Sequence, residues 1–510
     1  MQRIRSLPGS VPAVAAGFLL VALVASVPGS PLQPPLPPGA GPSGPFAWLA
    51  RVVGLDGVRG GWLVAVSVVA VLAATGTFLV ALRDAWRGRI AVRTVVVVAV
   101  LFHVAVLTLP LLASRDVYSY AMYGRIVSVH GKNPYVATPI EFGADPTLDF
   151  VGPAWVDTPA VYGAGFTALS GAITGAIGSL PRLIDAFQLL AAAASLGTLA
   201  LVVWLAGRLR PERAAFAAAA IGLNPVVLFQ SVASGHNDLL VALAIAAGLA
   251  LLVLKRSYLA TAVLTLGVLV KATAGLPLLL LIVAAVARRE PGHRLRSLVA
   301  HLAVAGGLFL AVAGWFLQRE DPTLGMLELI GHEGWLAPSR LFRRLADGLG
   351  SLVGVDAIGT GLGVVIRGAF SAALAATVIA LAVTVWRRAR DGDLDVGAEG
   401  ASWGWALLLL MLLGPVLLPW YVVWSLPLAF LLPRVPRIAL LGTTTALAVS
   451  QWTADPVEFP GAYDLNVLVG HYVLTPLITV LLVWLLVDLV GRLRSGTPLE
   501  QERYVPAAPD

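Results

Sequence analysis

Between Ser114 and Tyr135 the chain reads SRDVYSYAMYGRIVSVHGKNPY. It sets one carboxylate, Asp116, among Tyr118, Tyr120, Tyr123 and Tyr135, the cations Arg115, Arg125 and Lys132, and His130 and Asn133. A carboxylate at a membrane edge suits general-base work on a hydroxyl. Aromatic faces with phenol rims suit the C–H faces and hydroxyls of a sugar ring. Tyr120 and Tyr123 follow Asp116 at helical spacing and share its face if the segment is a helix, whereas Tyr118 lies off that face. Plainer roles exist for each: Asp116 as a helix cap, the tyrosines as an interfacial aromatic belt. Gly131 and Asn133-Pro134 signal a turn.

Four further stretches carry chemistry-bearing residues. SGHND sets His236, Asn237 and Asp238 side by side, as a helix cap or as substrate contacts; two such ligands are too few to define a metal site. Lys271 interrupts an apolar run, and an ammonium in that setting is a functional candidate by default, suited to neutralising a lipid phosphate; the alternative is a snorkelling lysine. WLAPSRLFRRL supplies Arg340, Arg343 and Arg344, whose guanidinium forks suit phosphates or lipid head groups. Upstream of it lie His332, Glu333 and Trp335. PWYVVW adds Trp420 and Tyr421 to the sugar-platform candidates. The chain carries no glycine-rich nucleotide cradle, so neither a nucleotide nor any other cofactor is expected, and no metal.

These residues need a membrane to position them. The 510 residues are 58% hydrophobic and 12% charged, against about 25% charged in a soluble protein, and mean hydropathy is +0.86. Apolar runs long enough to span a bilayer recur along the chain. The net charge of +7 is therefore a matter of topology and not of nucleic-acid binding. With no cysteine there is no disulfide. The expected fold is an all-α polytopic membrane protein in a single domain, 1–510.

Cationic clusters at Arg83–Arg93, Arg208–Arg213, Lys255/Arg256, Arg288–Arg296, Arg387–Arg390, Arg434/Arg437 and Arg492/Arg494 belong on the cytoplasmic side. Placing them there predicts about 13–14 spans with both termini inside and a retained first helix. Between Lys255/Arg256 and Arg288/Arg289 the rule requires two short helices meeting near Lys271. It requires the same of Ser402–Leu432, broken at GPVLLPWYVVW. Val161–Leu180 reads as a re-entrant or surface helix. The expected outer segments are a Pro/Gly-rich loop at 29–60, a catalytic loop at 114–182 and a second large loop at 318–365. Residues 495–510 form a cytoplasmic tail. Every segment rich in mixed polar and aromatic residues then faces outward.

Together SRDVYSYAMYGRIVSVHGKNPY, NPVVLFQSVASGHNDLL, VLVKATAGLPLLL and LPWYVVWSLPLAFL resemble the actinobacterial polyprenol-phosphomannose-dependent α-1,6-mannosyltransferases. These are GT-C membrane glycosyltransferases of lipomannan and lipoarabinomannan synthesis, and the resemblance covers roughly residues 90–490. It implies a GT-C-like helical bundle in the plasma membrane with its active site on the extracytoplasmic side. It implies a polyprenyl-phosphomannose donor, and a mannan or phosphatidylinositol-mannoside acceptor. Transfer would invert a β-linked mannosyl phosphate to an α product. The family's catalytic acid falls on Asp116, and the donor phosphate falls to Lys271 with Arg340, Arg343 and Arg344. Sugar contacts fall to Tyr118, Tyr120, Arg125, Asn133, Tyr135, His236, Asp238, His332, Trp420 and Tyr421. Relatives often carry paired acids where this chain has Arg115-Asp116, which leaves Glu141, Asp145, Asp149 or Asp157 as a second carboxylate. Two other readings fit the same features: a transferase using another polyprenyl-phosphate sugar such as arabinose, and a lipid or sugar transporter or flippase with broken helices.

Overall fold

The computed structural model describes residues 8–317, 334, 336–352, 354–454 and 457–500. Its helices are α1 (Ser10–Ala25), α2 (Gly44–Val52), α3 (Gly60–Trp86), α4 (Val92–Val106), α5 (Asp116–Ser128), α6 (Ala164–Ala176) and α7 (Leu180–Leu209). The middle of the chain forms α8 (Ala214–Gly222), α9 (Pro225–Val227) with a π-helical turn at Leu228–Val232, α10 (Asp238–Val253), α11 (Ser257–Val270), α12 (Gly275–Ala287) and α13 (Arg294–Ala313). Then come α14 (Pro338–Leu352), α15 (Asp356–Asp391), α16 (Val396–Leu413), α17 (Arg434–Ala448), α18 (Pro460–Val469) and α19 (Thr475–Ser495). The described residues contain no β-strand.

The chain is an all-α polytopic membrane protein. Among the described residues, seven helical runs are long and apolar enough to cross a bilayer, and α1, α4, α10, α11 and the run into α12 are shorter apolar helices. Both kinds of burial occur. The run through α8 is buried throughout, because its AAFAAAAIG sequence lets neighbours approach closely, as small residues do in membrane bundles. The spans of α13 and α15 are mostly uncovered by protein, so their apolar surface is left for lipid.

The break between α11 and α12 falls at Lys271–Ala274, where the cationic clusters require it. The Ser402–Leu432 stretch differs from expectation in its second half. After α16 the chain runs on to short 3-10 turns at Pro419–Trp424 and Leu426–Leu428 in place of a second α-helix. Pro415, Pro419 and Pro427 each lack the N–H an α-helix interior needs. The short α6 occupies the Val161–Leu180 region. At 1.5 Å per residue its 13 residues reach only about 20 Å, short of a core about 30 Å thick.

Glycine sets how α5 sits. A Cβ on Gly124 would lie 2.5 Å from the Ser170 carbonyl oxygen, so α5 and α6 meet backbone to backbone. A Cβ on Gly163 would run into the carbonyl of Leu269 in the same way, which ties the entry to α6 against the end of α11 beside Lys271. Elsewhere the basic clusters gather. The Arg213 and Arg437 guanidiniums sit 3.5 and 3.9 Å from the centroid of the Trp86 ring. Arg288 pairs with buried Glu399, and Arg388 pairs with Glu500.

Candidate active site

The chain reaches the site through a tight turn. Ala113 has φ +60°, and the Ser114 N–H donates to the Leu112 carbonyl at 2.6 Å. Helix α5 then begins at Asp116. Ser114 Oγ accepts the Asp116 N–H at 3.1 Å, and the N-cap residue Arg115 makes no side-chain capping bond. The Asp116 carboxylate is thus not spent on capping. Its side chain is 25% exposed, and Oδ2 lies 3.5 Å from His236 Nδ1.

His236 is delivered by the turn before α10. Gly235 has φ +63°, and a Cβ there would lie 2.7 Å from Val117 Cγ2, so both conformation and contact with α5 demand glycine. Ser234 Oγ donates to the Leu112 carbonyl at 2.6 Å. Fully buried, His236 stacks on Trp420 with ring centroids 3.8 Å apart, and its Nδ1 lies 3.3 Å from Tyr120 Oη. Tyr120 Oη also lies 3.4 Å from Asn237 Oδ1. Burial, then the nearby Lys271 charge, holds the imidazole well below its usual range, so it is neutral at pH 7.

Lys271 does not snorkel. Its Nζ donates to Asp238 Oδ1 at 2.8 Å, and the same oxygen accepts from Trp424 Nε1 at 2.7 Å. The ammonium lies 4.5 Å from the Tyr421 ring centroid and 5.3 Å from that of Trp424. Asp238 is the second carboxylate of the site. Burial pushes the Asp116 carboxyl up to about 6; Lys271 and the Ser114 hydrogen bond pull it down, and Asp238 raises it.

Two cavities of about 290 Å³ each share Asp116, Trp155 and Trp420 in their walls. The first is lined mainly by aromatic and aliphatic side chains, among them Tyr162, Val416, Leu418 and Tyr421, with Lys271. The second is polar, with Ser114, Arg115, Gln451, Thr453 and Asn466 in its wall. Asp116 stands at their junction.

Other candidates are placed around this centre, each with a partner in the surrounding scaffold. Buried Tyr118 donates to the Pro35 carbonyl at 2.7 Å. Tyr123 donates to the Thr158 carbonyl at 2.8 Å. Arg125 Nε pairs with Asp145 at 2.8 Å, which His130 also contacts at 2.9 Å. Asn133 donates to the Phe316 carbonyl at 2.9 Å, and Tyr135 to the Tyr162 carbonyl at 2.6 Å. Glu141 accepts the Thr138 N–H in a capping box. Neither cavity is lined by Arg340, Arg343 or Arg344; Arg344 donates to Tyr472 Oη at 2.8 Å. His332, Glu333 and Trp335 lie outside the described residues. Among the described residues no group of three or more His, Asp or Glu is placed to hold a metal ion.

Trp155, Tyr162, Trp424, Gln451, Thr453 and Asn466 are additions that spacing did not single out. Trp424 stands in the PWYVVW motif and was the nearest to legible. The others sit in connecting segments or, for Asn466, on the short α18, and their partners are distant in sequence.

Fold and cavity together define a polytopic helical membrane protein with a carboxylate poised between an apolar and a polar chamber. Residues 15–288 match the family model described as alpha-(1->6)-mannopyranosyltransferase, N-terminal domain, and the chain belongs to that family. It is similar to alpha-(1->6)-mannopyranosyltransferase A of Mycobacterium tuberculosis (strain ATCC 25618 / H37Rv), 29% identical over 349 residues. That alignment covers 66% of this chain and 65% of the relative, so it spans just under two thirds of the relative's length. No solved structure matches the chain.

Proposed function

We propose that this protein is an inverting mannosyltransferase that moves mannose from a polyprenyl-phosphate carrier to an α-1,6-linked mannan acceptor on the outer face of the plasma membrane. The observation that carries this reading is the place of Asp116, in the wall of both chambers, with its carboxyl pushed up to about 6. A base of that strength is still ionised at neutral pH and takes up a proton more readily than an ordinary carboxylate. Asp116 removes the proton of the acceptor 6-hydroxyl as that oxygen attacks the anomeric carbon. The bond from that carbon to the phosphate oxygen breaks, and the leaving polyprenyl phosphate takes the electron pair. Attack opposite the leaving group turns a β-linked donor into an α product.

The apolar chamber suits the carrier end of the donor, with its phosphate against Lys271. Fixed donors in a poorly hydrated site stabilise developing charge effectively. Lys271 already serves Asp238, so it acts through its remaining N–H bonds more than as a bare cation. The family match favours mannose over arabinose. The reading is tested with purified protein given radiolabelled polyprenyl-phosphomannose and polyprenyl-phosphoarabinose in parallel. Transfer from the mannose lipid alone supports it. Transfer from the arabinose lipid alone, or movement of either lipid across the bilayer without transfer, contradicts it.

A further inference from the structure

Folded proteins leave few buried polar groups unpaired, and those that remain call for a reason. Three such groups meet in one wall. Gln451 Oε1, Thr453 Oγ1 and Asn466 Oδ1 are buried oxygens with no hydrogen-bond partner among the described residues, and all three residues line the polar chamber beside Asp116. Thr453 and Asn466 are only 3% and 2% exposed. Arg115, also in this wall, forms no ion pair among the described residues. The contrast with the apolar chamber is sharp, since the cation there, Lys271, is fixed by Asp238 at 2.8 Å.

Resting on the transfer reading above, we propose that Gln451, Thr453 and Asn466, with Arg115, form the subsite that binds the acceptor sugar. Amides and hydroxyls both give and accept hydrogen bonds, which matches a pyranose, where every hydroxyl does the same. The indoles of Trp155 and Trp420 supply the flat apolar surface on which a sugar's C–H face rests. The chamber opens on the Asp116 carboxylate, so a sugar held there presents a hydroxyl to the base. These three polar residues lie between the start of the α17–α18 connection and α18, outside residues 15–288 matched by the family model. Most of the acceptor's uncharged polar partners then lie in the C-terminal half of the chain, while the base lies in the N-terminal half.

The test uses the full-length protein in lipid nanodiscs, with polyprenyl-phosphomannose as donor and a soluble α-1,6-linked mannobioside as acceptor probe. Gln451→Ala and Asn466→Ala should each raise the acceptor KM about three- to tenfold, the worth of one neutral hydrogen bond. Donor KM should stay within about twofold. Asn466→Asp keeps the oxygen acceptors and should restore most of the affinity, and Gln451→Ala carries the test if Asn466→Ala fails to fold. A rise in donor KM with acceptor KM unchanged would assign the chamber to the donor sugar and overturn the proposal, as would unchanged values for both. Calorimetric binding of the mannobioside separates this inference from the transfer reading. If the wild type transfers nothing but binds the probe, and Asn466→Ala weakens that binding, the subsite stands and the transfer reading falls.

Discussion

Lys271→Met tests whether the ion pair at the centre of the molecule is structural, functional or both. The Lys271 side chain is 9% exposed and that of Asp238 1%, with 2.8 Å between Nζ and Oδ1. Methionine keeps the apolar stem but leaves the Asp238 carboxylate buried with only Trp424 Nε1 as a donor among the described residues. Stranding one partner of a buried pair costs about 3–5 kcal/mol, a factor of roughly 10² to 10⁴ in the folding equilibrium. Asp238→Asn alone should cost a comparable amount, because it strands the ammonium. In the double variant both charges are gone, and the Trp424 bond survives on the amide oxygen. Coupled partners recover about 0.5–3 kcal/mol when removed together, so the double variant should lose less than the two single losses added. Unfolding in graded SDS, followed by tryptophan fluorescence, reads the stability; donor KM reads the function. The stability losses should be less than additive in the double variant while donor KM stays raised. Full stability of Lys271→Met, or strictly additive losses, would refute the pairing argument. Recovery of donor KM in the double variant would make Lys271 a purely structural residue.

The raised Asp116 carboxyl predicts that transfer falls as pH drops through about 6, since protonation removes the base, and levels off above it; a profile flat down to pH 4.5 would show that no such group governs the rate. Gly124→Ala forces a Cβ against the Ser170 carbonyl, and overpacking of this kind costs about 1–3 kcal/mol, visible as a lower unfolding midpoint. Lys132, exposed in the segment after α5, becomes a single reporter as Lys132→Cys in this cysteine-free chain; it should react with an impermeant maleimide in intact cells, and reaction only after lysis would reverse the proposed orientation.

Much of the fold could be read from where charge interrupts apolar sequence. The break at Lys271 follows from the spacing of two cationic clusters, since a single helix would place the second on the wrong side of the membrane. Asp116 was legible as a lone carboxylate past an apolar run, and SGHND as a polar turn between two more. What sequence spacing could not reveal is which side chain each polar group meets. Arg125 and Asn133 look like sugar contacts in a polar loop, yet Asp145 and the Phe316 carbonyl engage them. Lys271 looks like a free cation until Asp238, on a different helix, is brought to it. The return limb after α16 departs from expectation because its hydropathy suits a helix while its prolines do not. The polar wall at Gln451–Asn466 carries no spacing signal, because its meaning comes only from packing beside Asp116.

Asp116 is the proposed base for transfer. Asp116→Asn is nearly isosteric, and Ser114 continues to receive the helix N-terminal N–H, so α5 should form as before. The decisive measurement is single-turnover transfer by Asp116→Asn at saturating donor and acceptor, alongside binding of both. A general base is typically worth about 10²–10⁴-fold, so the rate should fall by at least about two powers of ten while both substrates still bind. Transfer by Asp116→Asn at close to the wild-type rate would contradict the account.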